Sequence, residues 1–319
     1  MNIIFTICSN NYLAQAFTLQ ESLLTHNPDV EFYIGLVDEL MPGMSREKQG
    51  IIPVKDVVEE QVFNDMTGIY NITELNTAVK PFYLEYFFKE FDANKVMYLD
   101  PDIMVFTRFE NLWSLLETNS AVVTPHFCTP QIDTKEPSNF SILSTGVYNL
   151  GFIAFSRTLE SMNFILWWKQ MLYNQCYDRN GYFTDQLWVN YITCFCDNVH
   201  VLRDMGYNVA NWNLHERSLT MRGNVYYVND KSVLVFFHFS NYSVKFPDRM
   251  AWYNNRFKLS ERPDVQPVFK HYVERLFDNG YANYSAIKPQ YGLISKKIST
   301  NRFKLFVIRI LNKIIRLLS

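Results

Sequence analysis

Apolar runs too short for helices alternate with stretches of helical periodicity through the first 125 residues, a pattern that predicts an α/β fold around a mostly parallel sheet. Residues 3–8 read as a strand, and residues 12–26 as a helix with Ala16, Leu19, Leu23 and Leu24 near one face. A second strand over 31–37 ends at Asp38, which makes a parallel β-α-β unit, and 51–54 is a short third strand. Residues 74–91 have helical spacing despite Pro81, which either kinks the helix or marks where its regular part begins. The run 95–99 is apolar and ends at Asp100-Pro101-Asp102, where proline stops a ladder. Beyond it the pattern predicts a helix over 109–118, a strand over 121–124, and a proline-containing loop over 125–143 suited to substrate contacts. A strand or bent hairpin follows over 145–155, then helices over 159–176 and 184–196. Residues 232–239 form a β-prone run placed among the inner strands, and 248–280 are expected to be helical and to pack outside the sheet.

The composition is that of an ordinary globular protein, with 319 residues, 48% hydrophobic and 19% charged. The net charge of −2 hides an asymmetry: residues 295–319 carry seven Lys or Arg and no acid, which leaves residues 1–294 at −9. An acidic body argues against nucleic acid as a partner, because binding a phosphate backbone needs a basic surface. Five cysteines without paired C-x-x-C spacing fit neither a disulfide framework nor a zinc site, and imply a reducing compartment. The first residues lack a basic region and a small-residue cleavage site, so no signal peptide is expected.

Against that background the acids at 100 and 102 stand out. Two carboxylates inside so hydrophobic a stretch are expensive without a counter-ion, and at the carboxyl end of an inner strand they can hold a divalent cation against a phosphorylated ligand. The chain has neither G-x-G-x-x-G nor G-x-x-x-x-G-K-[ST], so phosphate must be held another way. His238, near the end of the 232–239 run and flanked by Phe236, Phe237 and Phe239, is either a core histidine or a third ligand beside the two acids. Asp185 and Gln186 read as helix-opening residues or as groups for sugar hydroxyls, and Asn149 as a turn residue or a ligand amide. Lys80 is a solvated charge or a cation for a phosphate or sugar.

Taken in order along residues 1–245, these pieces resemble the metal-dependent GT-A glycosyltransferases, most closely glycosyltransferase family 8. Leu99-Asp100-Pro101-Asp102 is similar to that family's Y-L-D-x-D motif, Tyr148-Asn149-Leu150-Gly151 to its N-x-G strand, Thr184-Asp185-Gln186 to its D-Q motif, and Phe237-His238-Phe239-Ser240 to its H-F strand. The resemblance implies a GT-A domain over residues 1–247, a helical appendage over 248–294 and a basic tail over 295–319. It implies manganese or magnesium on Asp100, Asp102 and His238, and Asp100, Lys80 and Asn149 at the donor, with Asp185 and Gln186 as the catalytic pair beside the donor sugar. Thr6, Cys8, Asn11, Tyr12 and Asp38 would surround the nucleoside. Residues 241–247 keep a lysine and a proline in a different order from the family's G-x-x-K-P-W segment, which bears on Lys245 as a diphosphate ligand.

The implied reaction is transfer of a sugar, with retention, from a nucleotide-sugar donor of the UDP type to a glycan or glycolipid acceptor in bacterial surface polysaccharide synthesis. The alternatives are a sugar nucleotidyltransferase and a catalytically silent carbohydrate-binding protein. For the latter, the 16% aromatic content offers stacking surfaces such as Trp188, Trp212 and Trp252, read mostly as core. On a helical projection of the tail, Arg302, Arg309, Lys313 and Arg316 share one face and Phe303, Phe306, Val307, Ile310, Leu311 and Ile314 spread over the other. That pattern suits an anionic membrane surface, and places the protein in the cytoplasm at the inner face of the cell membrane. Docking of the tail on its own domain is the alternative.

Overall fold

The computed structural model of the chain describes residues 1–179 and 181–293. Seven strands carry the argument in chain order: β1 (Asn2–Cys8), β2 (Glu31–Leu36), β3 (Ile51–Pro53), β4 (Lys95–Leu99), β5 (Ile103–Val105), β6 (Ala121–Pro125) and β7 (Tyr148–Ser156). With the edge strand Val199–Val201, all but β5 form one sheet in the order Val199–Val201, β6, β7, β4, β1, β2, β3. Every pairing is parallel except those of β7, which runs antiparallel to both β4 and β6. The molecule is therefore an α/β protein on a mostly parallel, mixed sheet.

Continuous apolar sequence in β1 and β4 follows from burial on both faces. In β4, Val96 and Tyr98 join one core with Phe5, Tyr83, Phe87, Phe155 and Trp168, under the helices Lys80–Glu90 and Leu159–Leu172. The alternate residues Met97 and Leu99 join the opposite core with Leu19, Leu23, Phe152 and Phe236, under the helix Leu13–His26. The sheet is sealed along its middle, and β1, β4 and β6 present their carboxyl ends at one edge.

Several elements differ from the sequence expectation, and the differences shape that edge. The helical stretch 74–91 is two helices, Ile72–Ala78 and Lys80–Glu90, with Pro81 in the first turn of the second. Asn71 and Glu74 form a reciprocal cap on the first. The 125–143 stretch ends in the helix Asn139–Thr145, capped by Ser138. The 184–196 helix is shorter and tighter: Thr184 to Gln186 form a turn, followed by a 3-10 turn Leu187–Tyr191 and one helical turn Ile192–Phe195.

The run 232–239 is not an inner strand of the large sheet. It divides at Leu234 and Val235. Ser232–Val233 pairs in an antiparallel sheet with Val225–Val228, while Phe236–His238 joins β5 and Val209–Ala210 in a separate three-stranded sheet. The flank of β4 that a further inner strand would take is held by β7. Residues 248–280 are helical only over Gln266–Asp278, after a 3-10 turn Leu259–Glu261. Pro263 breaks helical pairing, and buried Arg256 draws the preceding chain onto residues 133–137 instead. Residues 294–319, and with them the expected basic amphipathic tail, lie outside the described residues.

Candidate active site

β4 stops at Leu99 because Asp100-Pro101-Asp102 turns the chain, with Ile103 N–H donating back to the Asp100 carbonyl at 3.2 Å. β5 then leaves the large sheet and pairs antiparallel with Phe236–His238, with His238 opposite Ile103. Phe239 N–H donates to the Asp102 carbonyl at 2.8 Å, which locks the register. That register alone brings the imidazole to the acids. His238 Nε2 lies 3.0 Å from Asp102 Oδ1 and 3.5 Å from Asp100 Oδ2. One ligand atom from each of the three residues falls within 4.8 Å of the others.

The ring is clamped on both sides. Trp212 meets it edge to face, with centroids 5.1 Å apart. Beneath it lies Gly151, where an added Cβ would stand 2.3 Å from His238 Cε1 and 2.5 Å from Nδ1, so no larger residue fits while the ring keeps this position. Tyr98 Oη donates to Asp100 Oδ1 at 2.6 Å and fixes the first carboxylate. Burial opposes ionisation of Asp100 and raises its pKa, although Lys80 and His238 pull the other way. Burial would also lower His238, but the facing Asp102 and Asp100 carboxylates outweigh it and raise its pKa. The cluster thus favours a positive charge between its members.

This donor set fits the expected metal. Two carboxylate oxygens and one imidazole nitrogen suit manganese or magnesium, and the nitrogen turned to the acids is Nε2, leaving Nδ1 without a hydrogen-bond partner among the described residues. One face of the triad opens into a cleft of about 890 Å³, within the range of ~300–1,000 Å³ common for small-molecule sites.

Deeper in the cleft lies a buried polar floor. Lys80 Nζ stands 2.5 Å from Asp185 Oδ2 and donates to the Leu150 carbonyl at 3.1 Å, over the Tyr98 ring at 4.1 Å. Asp185 is aimed inward by Thr184, whose φ of +41° is an unfavourable conformation for a β-branched residue. The Thr184 hydroxyl sits 3.2 Å from Asp185 Oδ1, and Trp168 Nε1 donates to the Asp185 carbonyl. Gln186 bridges two segments, accepting from Leu150 N–H at 2.9 Å and donating to the Thr145 carbonyl at 2.9 Å. Asn149 Oδ1 accepts from Asn208 Nδ2 and Gly151 N–H, and its Nδ2 donates to Gln186 Oε1.

Of the residues singled out in the sequence, Cys8, Asn11, Tyr12, Lys80, Asp100, Asp102, Asn149, Asp185, Gln186 and His238 line this cleft. Thr6, Asp38 and Lys245 do not. Thr6 is wholly buried in β1, Lys245 lies on an exposed turn, and the Asp38 carboxylate accepts from the backbone N–H groups of Asn10 and Gln290. Sequence reasoning missed Tyr98, His126 and Glu136. Tyr98 was legible as the same-face neighbour two residues before Asp100, and His126 as the residue following a strand that ends at the same edge. Burial, its largest influence, lowers the pKa of His126 to about 4, so the ring is neutral at physiological pH. Of the tryptophans offered as stacking surfaces, Trp212 at 2% exposure and Trp188, packed against the core, agree with the reading of most as core, and Trp252, 77% exposed at the cleft edge, is the exception.

The Lys80–Asp185 pair gives a direct test of the floor. Removing one partner strands a buried charge, so Lys80→Met is expected to cost about 3–5 kcal/mol. Lys80→Met combined with Asp185→Asn is expected to cost at least ~2 kcal/mol less than the sum of the single changes, read from urea unfolding. Additive costs would show that the two groups do not meet.

Comparison with known proteins gives the family and the fold. The family model "Glycosyl transferase family 8" matches residues 3–177, more than half of the chain. The uncharacterised Bacillus subtilis (strain 168) protein YfnF is 25% identical over 252 residues, covering 75% of this chain and 81% of its own. Among solved structures, the galactosyltransferase LgtC, crystallised with donor and acceptor sugar analogues, superposes with a TM-score of 0.52 at 16% identity, covering 87% of this chain and 96% of its own. The glycosyltransferase GlyE of Streptococcus pneumoniae TIGR4 superposes with a TM-score of 0.50 at 17% identity, covering 90% of this chain and 65% of its own. Those likenesses establish the GT-A fold. The chain belongs to glycosyl transferase family 8 and is a glycosyltransferase.

Proposed function

We propose that this glycosyltransferase is metal-dependent and moves a sugar, with retention of configuration, from a UDP-sugar to a glycan or glycolipid of a bacterial surface polysaccharide. The observation that carries the reading is the meeting of Asp100, Asp102 and His238 at the mouth of a cleft whose floor is the buried Lys80, Asp185, Asn149 and Gln186 array. Asp100, Asp102 and His238 would hold manganese or magnesium. Such a cation supplies Lewis-acid stabilisation of the negative charge that develops on a departing diphosphate.

The chain's own groups do the rest. Tyr98 keeps Asp100 oriented, and the Gly151 surface keeps the imidazole turned to the acids. Tyr12 and Asn11 at the end of β1 offer a ring and an amide to the nucleoside, and Cys8 lines the same wall. Asn149, Asp185 and Gln186 offer polar atoms to sugar hydroxyls. A double displacement needs a free carboxylate beneath the anomeric carbon. Here the Asp185 carboxylate is ion-paired to Lys80, and the Gln186 amide is held at both ends. We therefore favour front-face transfer. The anomeric carbon–phosphate oxygen bond breaks while the acceptor oxygen bonds on the same face, and the acceptor's proton passes to the leaving phosphate. Thr6, fixed within β1, would act only indirectly, and Asp38 and Lys245 only indirectly or after movement of their segments.

UDP with Mn2+ is expected to raise the melting temperature. Stabilisation is about 2.7 kcal/mol with ligand at 100 times Kd, or a few degrees in a protein of this size. Chelation of the metal, or Asp102→Asn, is expected to remove the shift, and Asp102→Ala to slow Mn2+-dependent hydrolysis of the nucleotide-sugar at least 100-fold. An equal shift without metal would overturn the metal-dependent reading.

No helix among the described residues is long and apolar enough to cross a membrane. A peripheral site of action at the inner face of the cell membrane would rest on the basic amphipathic pattern of residues 295–319. Liposomes containing anionic lipid are expected to carry the full chain upward in a flotation gradient and to leave behind a chain ending at residue 294. Equal flotation of both would remove the tail from the account.

A further inference from the structure

Trp252 is the conspicuous anomaly of the cleft. An indole exposed to 77% is poorly placed for stability, and here it lines the same cleft as the triad. Its Nε1 donates to Asn241 Oδ1 at 3.1 Å, and Asn241 holds a left-handed backbone, φ +58°, just beyond Ser240 at the end of the His238 strand. The polar edge of the indole is thereby satisfied. A large part of its apolar surface remains open.

The segment bearing it is rigidly tied. On one side Asn254 Nδ2 donates to the Asn211 carbonyl at 2.9 Å, next to the Trp212 that clamps His238. On the other, Arg256, 3% exposed, donates through Nε and Nη2 to both oxygens of Asp133, and also to the Lys135 and Pro137 carbonyls. Between these ties, Asn255 exchanges two hydrogen bonds with the backbone of Glu136, at 2.7 and 3.2 Å. Two stretches distant in sequence, around residues 136 and 252, are thus welded into one wall of the cleft. Glu136 lines that wall too. Its Oε2 accepts from Ser138 N–H and the Ser141 hydroxyl, and these two contacts leave Oε1 untouched. The Ser141 contact comes first among the influences that lower its pKa, so it is an anion at neutral pH and offers a strong acceptor to hydroxyl groups.

A flat apolar face and a hydroxyl-accepting carboxylate on one cleft wall are the chemistry of a pyranose site: the C–H face of the sugar covers the indole and its hydroxyls donate to the carboxylate. The donor's expected contacts are already supplied elsewhere, by the β1 end, the triad and the Lys80–Asp185 floor. We propose that Trp252 and Glu136 form the acceptor subsite, and that the group accepting the transferred sugar is itself a pyranose ring rather than a peptide hydroxyl or a lipid phosphate. This rests on the glycosyl-transfer reading above and narrows its acceptor to a glycan terminus.

The test uses the full chain and saturation-transfer NMR with methyl glucopyranoside, methyl galactopyranoside and methyl N-acetylglucosaminide as probes, each with and without UDP and Mn2+. At least one glycoside is expected to receive saturation at its ring C–H protons. Trp252→Ala should weaken its binding at least tenfold, Trp252→Phe by less than threefold, and Glu136→Gln several-fold. Because Trp252 is exposed, its replacement does not threaten folding, and melting curves of all three variants, Glu136→Gln included, show whether the fold is kept. If UDP and Mn2+ shift the melting temperature but no glycoside binds, or if Trp252→Ala binds as the parent does, the acceptor assignment falls while the donor site stands. If a serine-containing peptide or glycerol phosphate binds in competition at Trp252 and the glycosides do not, the acceptor class is wrong.

Discussion

Two carboxylates crowded at the end of a buried strand repel one another, and this fold brings a third element to them that sets an imidazole nitrogen against both. That element is the strand Phe236–His238, set antiparallel to β5 so that His238 stands opposite Ile103, one residue after Asp102. A slip of one residue would turn the imidazole to the other face of its sheet. Phe236, on the same face of the strand as His238, packs against Phe109, Phe152 and Tyr207, and Phe237, on the other face, packs against Phe239 and Phe269, so aromatic packing in the core on both faces sets the register that is read out at the cleft. Gly151 and Trp212 then confine the ring. The site is precise because its ligands sit on a strand, Phe236–His238, and in the turn between two others, β4 and β5, all three of which are packed in the core.

The second constraint is the buried Lys80–Asp185 pair. It costs desolvation and is maintained only because both groups find further partners: a carbonyl and the Tyr98 ring for the lysine, and the Thr184 hydroxyl for the acid. A break between the helices at Val79 and a left-handed Thr184 are the local distortions that bring the two together. Tyr98 joins this pair to the triad, with its ring under the lysine and its hydroxyl on Asp100. Charge at one end of the cleft is therefore felt at the other. That coupling suits a reaction in which charge moves from a sugar to a diphosphate.

How much of this the sequence revealed depended on whether the determining contact was local. The β-α-β opening, the strand ending at Asp100 and the division around Pro81 follow from hydrophobic period and proline chemistry, and those elements stand within a residue or two of expectation. The triad was legible by residue type, but its geometry was not. An inner parallel strand and an antiparallel partner of β5 place the same β-prone run differently, and only the occupation of the flank of β4 by β7 decides between them. The 248–265 segment misled for a similar reason: its helical spacing is overridden by Arg256, whose partners lie more than 100 residues earlier. Asp38, adjacent to β2 in sequence, is drawn from the cleft lining by a backbone N–H 252 residues away. Trp252 was named among the stacking surfaces by residue type, but what separates it from the core tryptophans is its exposure, a property of the packed chain.

The central claim is that one cation links the two acids and the histidine. Crystals grown with UDP and Mn2+, measured at the manganese absorption edge, test it most directly. The account predicts a single strong anomalous peak per chain bounded by Asp100, Asp102 and His238, at about 2.0–2.3 Å from one oxygen of each acid and from Nε2, distances usual for such first-row ions with oxygen and nitrogen ligands. A peak elsewhere in the cleft, or UDP seated with no peak at the triad, would contradict it.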